Sequence, residues 1–403
     1  MAAVLPYEDD GKNMSTNVTR KKIIRNTLQI PSSRILFCIV SFLCLFLLLR
    51  QSNTVISYMN RGLLLCVRTV IPSLFPFMVL SEWMVATGCG RLLGRLCEKP
   101  MRYLFGISGT GVCALVMGVI CGFPIGTKTA ISLCRNKQIT KEECTRLLCF
   151  CNIPSSAFLI NAVGVSLFGS RRFGLILYAL CIFSSLLIAR LLHLFFPLRQ
   201  TYGSASDSSS VIGISAFTHA VTSSATAMLY VCAYVVFFTA LVGTLGETLT
   251  KLGADQTVIS LLFGFFELSG GVMQAAAIPD SILSGWIAAL LCGWSGLSVH
   301  LQILSLCDEL PDGLSGHIAL YFGCKLLQGI LCAILCGVIL YFFPSSAASP
   351  LPPITSIAPS PFMPSKTISI CTAALCLGLL RVLTYHRAKR SRHRLHRKNI
   401  SCS

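Results

Sequence analysis

Charge is what this sequence has least of. Only 12% of its 403 residues are Asp, Glu, Lys or Arg, against roughly 25% in ordinary soluble domains. Acidic residues are scarcer still, 15 against 33 lysines and arginines. No P-loop, Gly-x-Ser-x-Gly elbow or His-Glu-x-x-His is present. Their lack argues against an enzyme and against transport driven by the chain's own ATP hydrolysis. No Cys-x-x-Cys pair is present either, although there are 21 cysteines. Most of these lie in apolar runs (Cys38, Cys113, Cys181, Cys232, Cys336), where a thiol behaves as a small hydrophobe rather than a metal ligand or disulfide partner. The reading calls for no cofactor and no metal.

What is abundant is apolar surface: 54% of residues are hydrophobic and the mean hydropathy is +0.73. Apolar runs recur along nearly the whole chain and leave no room for a large water-soluble domain. The expectation is an all-α, polytopic integral membrane protein. A bilayer core of about 30 Å needs about 20 apolar helical residues. By that measure membrane segments fall near 35–50, 70–88, 109–134, 147–168, 173–197, 218–246, 257–278, 283–304, 317–343 and 367–383. Residues 50–69, with Arg50, Arg61 and Arg68 set against Leu63, Leu64 and Val67, read as an interfacial amphipathic helix.

This divides the chain into a basic cytosolic leader (1–34, with no cleavable signal evident) and an N-terminal anchor (35–50). Two half-repeats follow, 51–199 and 217–343, joined by a polar Ser/Gly-rich hinge (200–216). A proline-rich linker (344–366) then leads to a last apolar segment and basic tail (367–403). The net charge of +18 sits at the ends and in short loops, which is how membrane proteins set orientation. It is read as an anchor to lipid headgroups rather than a nucleic-acid surface.

Within each half two apolar segments are interrupted by small or polar residues. The first half has "GFPIGTKTA" and "FCNIPSSAFLI"; the second has "FGFFELSGGVMQAA" and "LCGWSGLSVHLQI". Interrupted segments at matching places in two halves point to a transporter binding site. Gly122 and Pro124 end a helix too short to span, and Pro124 is suited to start the next. The N–H groups of such a start favour an anion, and Lys128 stands one turn on. Asn152 and Pro154 repeat the arrangement, with Ser155 and Ser156 able to donate and accept hydrogen bonds. Thr140 to Glu143 reads as a capping box.

The second half contributes Glu267, Ser269, Gly293, Ser295, Ser298 and Gln302, and Lys325 lies inside a long apolar run. Blander readings stand beside these. Gly118, Gly122 and Gly126 suit close helix packing; Lys128 suits snorkelling to a headgroup. Glu267 and Lys325 suit a structural ion pair; Ser298 and His300 suit inter-helix hydrogen bonding.

Loop charge differs between the halves. First-half loops are basic (Arg91, Arg95, Lys99 and Arg102; Arg135, Lys137 and Lys141; Arg171 and Arg172), and second-half loops are acidic or neutral (Glu247, Asp255, Asp280, Asp308, Glu309, Asp312). If basic loops face the cytosol, the halves are inverted and some broken segments are re-entrant. Positions 137 and 172 are then expected on one side of the membrane, and 255 and 310 on the other.

"GVICGFPIGTK", "RLLCFCNIPSSAFLINAVGVSLFG", "FELSGG" and "GWSGLSVHLQ", in that order, resemble the sporulation integral membrane proteins of endospore-forming Firmicutes. These carry nucleoside-recognition (Gate) domains, also seen in concentrative nucleoside transporters and spore maturation proteins. The resemblance runs from about Gly62 to Phe343, and "RTVIPSLFPFMVLSEWM" looks like the family's first core helix. It implies two Gate-like half-repeats and movement of dipicolinic acid, pyridine-2,6-dicarboxylate, toward the forespore, with location in the membrane surrounding it.

The motifs carry over to Gly122, Pro124, Gly126, Lys128, Asn152, Pro154, Glu267, Ser269, Gly293, Ser298 and Gln302. Lys128 and Lys325 would hold two carboxylates, with Phe123 or Trp294 facing the ring. The chain departs from the family in having Asn152-Ile153-Pro154-Ser155-Ser156 where Asn-Asn-Pro-Gly-Pro is common, and Trp294-Ser295-Gly296 where a Gly-Gly precedes the Ser-Val pair. Expected partners are a small organic anion, membrane lipid and, among assemblies, a second copy of the chain. A nucleoside carrier and a non-transporting spore-envelope scaffold remain the alternatives.

Overall fold

In the computed structural model the described residues are 32–198, 214–308, 310 and 317–343. The hinge residues 200–213, Glu309, Asp312, the proline-rich linker and the C-terminal segment and tail lie outside them, as does the leader up to residue 31. The chain divides after Ser52 into two units. The first contributes one apolar helix, α1 (Ser32–Arg50).

The second unit takes in α2 (Ser52–Leu65) from its second residue on, and α2 runs through a π-helical turn (Cys66–Val70) into α3 (Ile71–Ala86). After it come α4 (Cys89–Phe105), α5 (Val112–Cys121), α6 (Ile125–Arg135) and α7 (Lys141–Phe150), a π-helix (Ala157–Leu167), and α8 (Arg171–Phe195). The remaining helices are α9 (Ile214–Lys251), α10 (Gln256–Phe266), α11 (Leu268–Ala276), α12 (Ser281–Trp294), α13 (Leu297–Cys307) and α14 (Ile318–Phe342). No strand occurs among the described residues. The protein is an all-α polytopic membrane protein. By length and composition α8, α9, the pair α12–α13 and α14 are each long and apolar enough to cross, and up to six spans arise if bent helix pairs are counted.

Residues 50–69 do not form a separate interfacial helix. α2 and α3 are continuous and run antiparallel along α9. A Cβ on Gly243 would strike Tyr58, Gly62 faces Val236 and Thr239, Cys66 Sγ lies 3.8 Å from the Cys232 carbonyl, and Trp83 meets Phe217 at 5.6 Å. The amphipathic helix is α4 instead, carrying Arg95, Lys99 and Arg102. It is bent by 94° from the segment Gly109–Cys121, as a helix lying along the interface would be.

Two of the interrupted segments fold back on themselves. The Ser108 amide, before α5, donates to Glu143 Oε1 at 2.6 Å, beyond α6, so α5–α6 starts and ends on one side. Gln256 and Gln274 close the mouth of α10–α11 in the same way, Nε2 to Oε1 at 2.6 Å. Each hairpin closes through a glycine pair near its tip, Gly118 with Gly126 and Gly264 with Gly271: a Cβ on Gly126 would press on the Gly118 backbone and one on Gly271 on the Gly264 backbone. Segments 109–134 and 257–278 are therefore re-entrant hairpins rather than crossings.

The other two interrupted segments cross. α8 runs antiparallel to both parts of α7–π: Phe150 meets Ser185 and Arg146 meets the Phe196 carbonyl at one end, while Gly164 packs on Gly174 at the other. α14 runs likewise along α12–α13, pairing Gly285 with Leu340, Gly293 with Gly329 and His300 with Tyr321.

These contacts also orient the halves. Arg146 reaches the carbonyls of Phe105 and Phe196, which puts the first hairpin's mouth at the Phe196 end of α8. Ser284 Oγ donates to the Ala275 carbonyl, and Gly285 packs between Leu340 and Phe173, which puts the second hairpin's mouth at the opposite, Phe173 end. The hairpins enter from opposite ends.

The end holding Arg95, Lys99, Arg102, Arg135, Lys137 and Lys141 is the more basic and by the positive-inside rule faces the cytosol. The expected pairing of labelled positions changes accordingly. The α7–π segment crosses fully, so Lys137 and Arg172 lie at opposite ends although both loops are basic. Cysteines introduced as Lys137→Cys and Asp308→Cys in a cysteine-reduced background should label from the same side with an impermeant maleimide. Arg172→Cys and Asp255→Cys should label from the other.

Candidate functional site

The four breaks meet in pairs. At the first, Gly122 adopts a positive φ of 80° and a Cβ there would press on Ser155. The Phe123–Pro124 peptide is cis, and the Phe123 amide donates to the Ile153 carbonyl at 3.0 Å. The tip of the first hairpin is thus stitched to the break in the first crossing. In the second half Gly296, also at positive φ (84°), would press a Cβ on Leu268 and Glu267, and Trp294 Nε1 donates to the Phe265 carbonyl at 3.0 Å. The same hairpin-to-break junction is built twice.

Asn152 sits at the centre of the first junction, 1% exposed. Its Oδ1 accepts from Thr127 Oγ1 at 2.7 Å on the first hairpin, and its Nδ2 donates to the Leu148 carbonyl at 2.9 Å. Its backbone carbonyl, freed by the break, accepts from Lys325 Nζ at 2.6 Å. Lys325 comes from α14, the last helix of the second half, and is fully buried. Its other acceptor is Gln328 Oε1 at 2.6 Å, and Gln328 Nε2 goes on to the Cys181 carbonyl at 3.2 Å. The ammonium thus rests on neutral oxygens. A cation in a low-dielectric interior without a counter-charge is costly unless an anion arrives.

The other expected site residues divide between this junction and elsewhere. Gly122, Pro124, Pro154 and Ser155 belong to the first junction, with Ser155 Oγ accepting from the Phe158 amide at 3.2 Å. Gly126 packs against Gly118, and Gly293 against Gly329. Lys128 is brought to a different place. It is 1% exposed, its Nζ donates to Ser223 Oγ at 2.7 Å, and Glu82 Oε2 stands 4.0 Å away.

Glu267 caps α11, accepting from the amides of Ser269 at 2.8 Å and Gly270 at 2.6 Å; it is Asn152 and Gln328, not Glu267, that engage Lys325. Its carboxylate thereby occupies the helix start, while α6 and α13 have no side-chain cap. Ser295 adopts φ 78° and its Oγ donates to the Cys292 carbonyl at 3.4 Å; Ser298 Oγ accepts from Gln302 Nε2 at 3.4 Å. Trp294 stacks on Phe265 at 5.5 Å, which occupies one face of its ring. Thr140 and Glu143 form the expected capping box.

Four participants lay outside the expected set: Thr127, Gln328, Glu82 and Ser223. For Glu82 the signal was available, since it is the one acid in the apolar run 70–88, and an ionisable group there is a site candidate by default. Thr127 and Gln328 carry no such signal, because threonine and glutamine are ordinary in membrane helices. Asn152, Lys325, Gln328 and Ser298 are all at most 4% exposed. The conformation is closed around the junction.

In comparison with known proteins, the chain is similar to the sporulation integral membrane protein YlbJ of Bacillus subtilis (strain 168). The two are 28% identical over 308 residues, which cover 68% of this chain and 74% of that protein. No family model matches the chain, and no solved structure matches it. Taken with the apolar helices, the similarity supports an integral membrane protein that has a sporulation membrane protein among its relatives.

The Asn152 hub makes a stability prediction. Thr127→Val keeps the shape but leaves the buried Asn152 Oδ1 without its donor, which should cost about 1–3 kcal/mol. A lowered thermal midpoint of the purified protein, read by a thiol-independent scattering assay, checks it.

Proposed function

We propose that the chain is a secondary carrier or facilitator for a small organic anion, with pyridine-2,6-dicarboxylate as its cargo during sporulation and the membrane around the forespore as its place of work. The observation that carries this reading is Lys325. It is a fully buried ammonium held by neutral acceptors at the point where the two halves touch, with no carboxylate of the described residues in ion-pair reach. An anion entering there replaces the Asn152 carbonyl as the partner of the cation. That exchange would loosen the link between α14 and the first junction. Two hairpins opening toward opposite ends supply two routes to one region, as alternating access requires.

Lys128, on the first hairpin, is the second cation offered to the dicarboxylate, and the uncapped starts of α6 and α13 add backbone N–H groups. The similarity to a sporulation membrane protein supports the sporulation setting, and the motif resemblance is what suggests the cargo. A nucleoside carrier would leave the buried cation unexplained, since a nucleoside brings no carboxylate.

The test is genetic and chemical. In a sporulating host lacking its own relative, Lys325→Ala and Lys128→Ala should reach the membrane at normal levels yet leave spores depleted of dipicolinate. Loss of a charge-assisted hydrogen bond of about 1.5–3 kcal/mol predicts uptake into proteoliposomes weakened by roughly 10- to 100-fold. Normal dipicolinate in both variants would sink the proposal. Uptake blocked by nucleosides but not by the dicarboxylate would favour the nucleoside reading, and loss of function on deleting 344–403 but not in Lys128→Ala would favour a scaffold.

A further inference from the structure

α4 has three faces, and the transport reading accounts for none of them. With 3.6 residues per turn, Gly94, Met101 and Phe105 share one face, which is buried. Arg95, Lys99 and Arg102 share a second, and all three are exposed. Leu93, Leu96, Tyr103 and Leu104 lie on the third, with Leu96 77% and Tyr103 74% exposed. A stripe of bare apolar side chains beside a stripe of cations suits neither water nor a protein core. It suits the plane where acyl chains give way to headgroups.

The surroundings put α4 in that plane. It is bent by 94° from the segment Gly109–Cys121, which leads into the first hairpin, and it stands at the basic end that faces the cytosol. Close contacts hold it there. A Cβ on Gly94 would strike the Thr110 backbone, one on Gly109 would strike the Gly94 carbonyl, and Glu98 Oε2 accepts from the Gly109 amide at 2.7 Å. At the other end of α4, Arg190 of α8 donates to the Tyr103 carbonyl at 2.9 Å, with its guanidinium 5.6 Å from the centre of the Tyr103 ring. Not all of the charge is paired. Arg102 has Glu98 as its partner, whereas Arg95 and Lys99 make no ion pair among the described residues.

We infer that α4 is a docking surface for an anionic phospholipid of the cytosolic leaflet. The phosphate diester lies against Arg95 and Lys99, which donate charge-assisted hydrogen bonds to its oxygens, and the acyl chains run over Leu93, Leu96 and Leu104. The two stripes together select this occupant. A soluble phosphate would answer the cations and leave the apolar stripe bare; a neutral lipid would cover the apolar stripe and bring no net charge to the cations. A molecule with a negative head and two chains matches both. Because α4 is locked against Gly109 and Thr110, a lipid seated there also holds the mouth of the first hairpin at headgroup depth. None of this depends on what the protein carries.

The test reads which lipid lies next to α4. The full-length chain carrying Leu96→Trp is placed in bilayers of phosphatidylglycerol mixed with phosphatidylcholine, with brominated acyl chains on one lipid or the other. Quenching of the indole at that position, after subtraction of the chain without the substitution, gives the ratio of the two lipids at the site. Phosphatidylglycerol should be enriched by roughly fivefold or more at low salt, the effect of one or more cations near a charged surface. The enrichment should shrink as salt shortens the screening length. Adding Arg95→Gln and Lys99→Gln together should return the ratio to that of the bulk bilayer. Lys137→Gln, at the same end of the molecule, should leave it unchanged, and so should removal of the basic tail 381–403.

Equal quenching by the two lipids would overturn the assignment. Enrichment that survives loss of the Arg95 and Lys99 charges, or that follows Lys137 or the tail instead, would overturn it too. Inorganic phosphate that abolishes the enrichment at matched ionic strength would make the cluster a site for a soluble anion and sink the lipid. Should Leu96→Trp not fold, Tyr103→Trp, an aromatic for an aromatic on the same stripe, serves as the probe and the same outcomes decide.

Discussion

The Asn152 carbonyl is freed by a helix break inside the protein, where no water reaches it, and it must find a donor. In a membrane interior such a group costs several kcal/mol if left unpaired. The donor is Lys325, from the far half of the chain, and the Asn152 side chain meanwhile binds Thr127 on the first hairpin. One residue therefore joins a hairpin, a broken crossing and the closing helix of the other half. Breaking a helix at membrane depth obliges this: each broken end has to be met by another element, and the elements that meet it form the junction.

The same constraint shapes the second half with different residues. There Glu267 satisfies the helix start with its own carboxylate, and Trp294 ties the break to the Phe265 carbonyl. Each junction has one uncapped helix start, α6 in the first and α13 in the second; the first adds a buried cation and the second a carboxylate. Equivalent geometry has been given unequal electrostatics. The buried cation sits at the first junction and the Glu267 carboxylate at the second, so the two junctions differ in the sign of the charge they carry.

Glycine is what brings the backbones close enough for these contacts. At Gly118 and Gly126, and again at Gly264 and Gly271, the two arms of a hairpin cross without room for a Cβ. Close approach lets short helices of about ten residues pack on each other where neither could span the bilayer alone. The positive φ at Gly122 and Gly296 serves a separate need, turning the chain at the tip so that it faces its partner break.

Composition and apolar periodicity were enough to settle the class of this protein, because helices that must satisfy their own backbone in lipid announce themselves as apolar runs. The four breaks were legible as well, since glycine and proline mark them locally and Thr140 and Glu143 cap a helix wherever they stand. Local signals could not distinguish a hairpin from a crossing: 109–134 and 147–168 have similar hydropathy, yet one returns and the other passes through. That choice lies in long-range contacts such as Ser108 to Glu143 and Arg146 to Phe196, between residues 35 and 50 positions apart. The partners of the buried charges were beyond reach for the same reason. Lys128 and Lys325 look alike in sequence, but packing gives one a carboxylate neighbour from α3 and the other a carbonyl from a broken helix, and that difference in surroundings divides their chemistry.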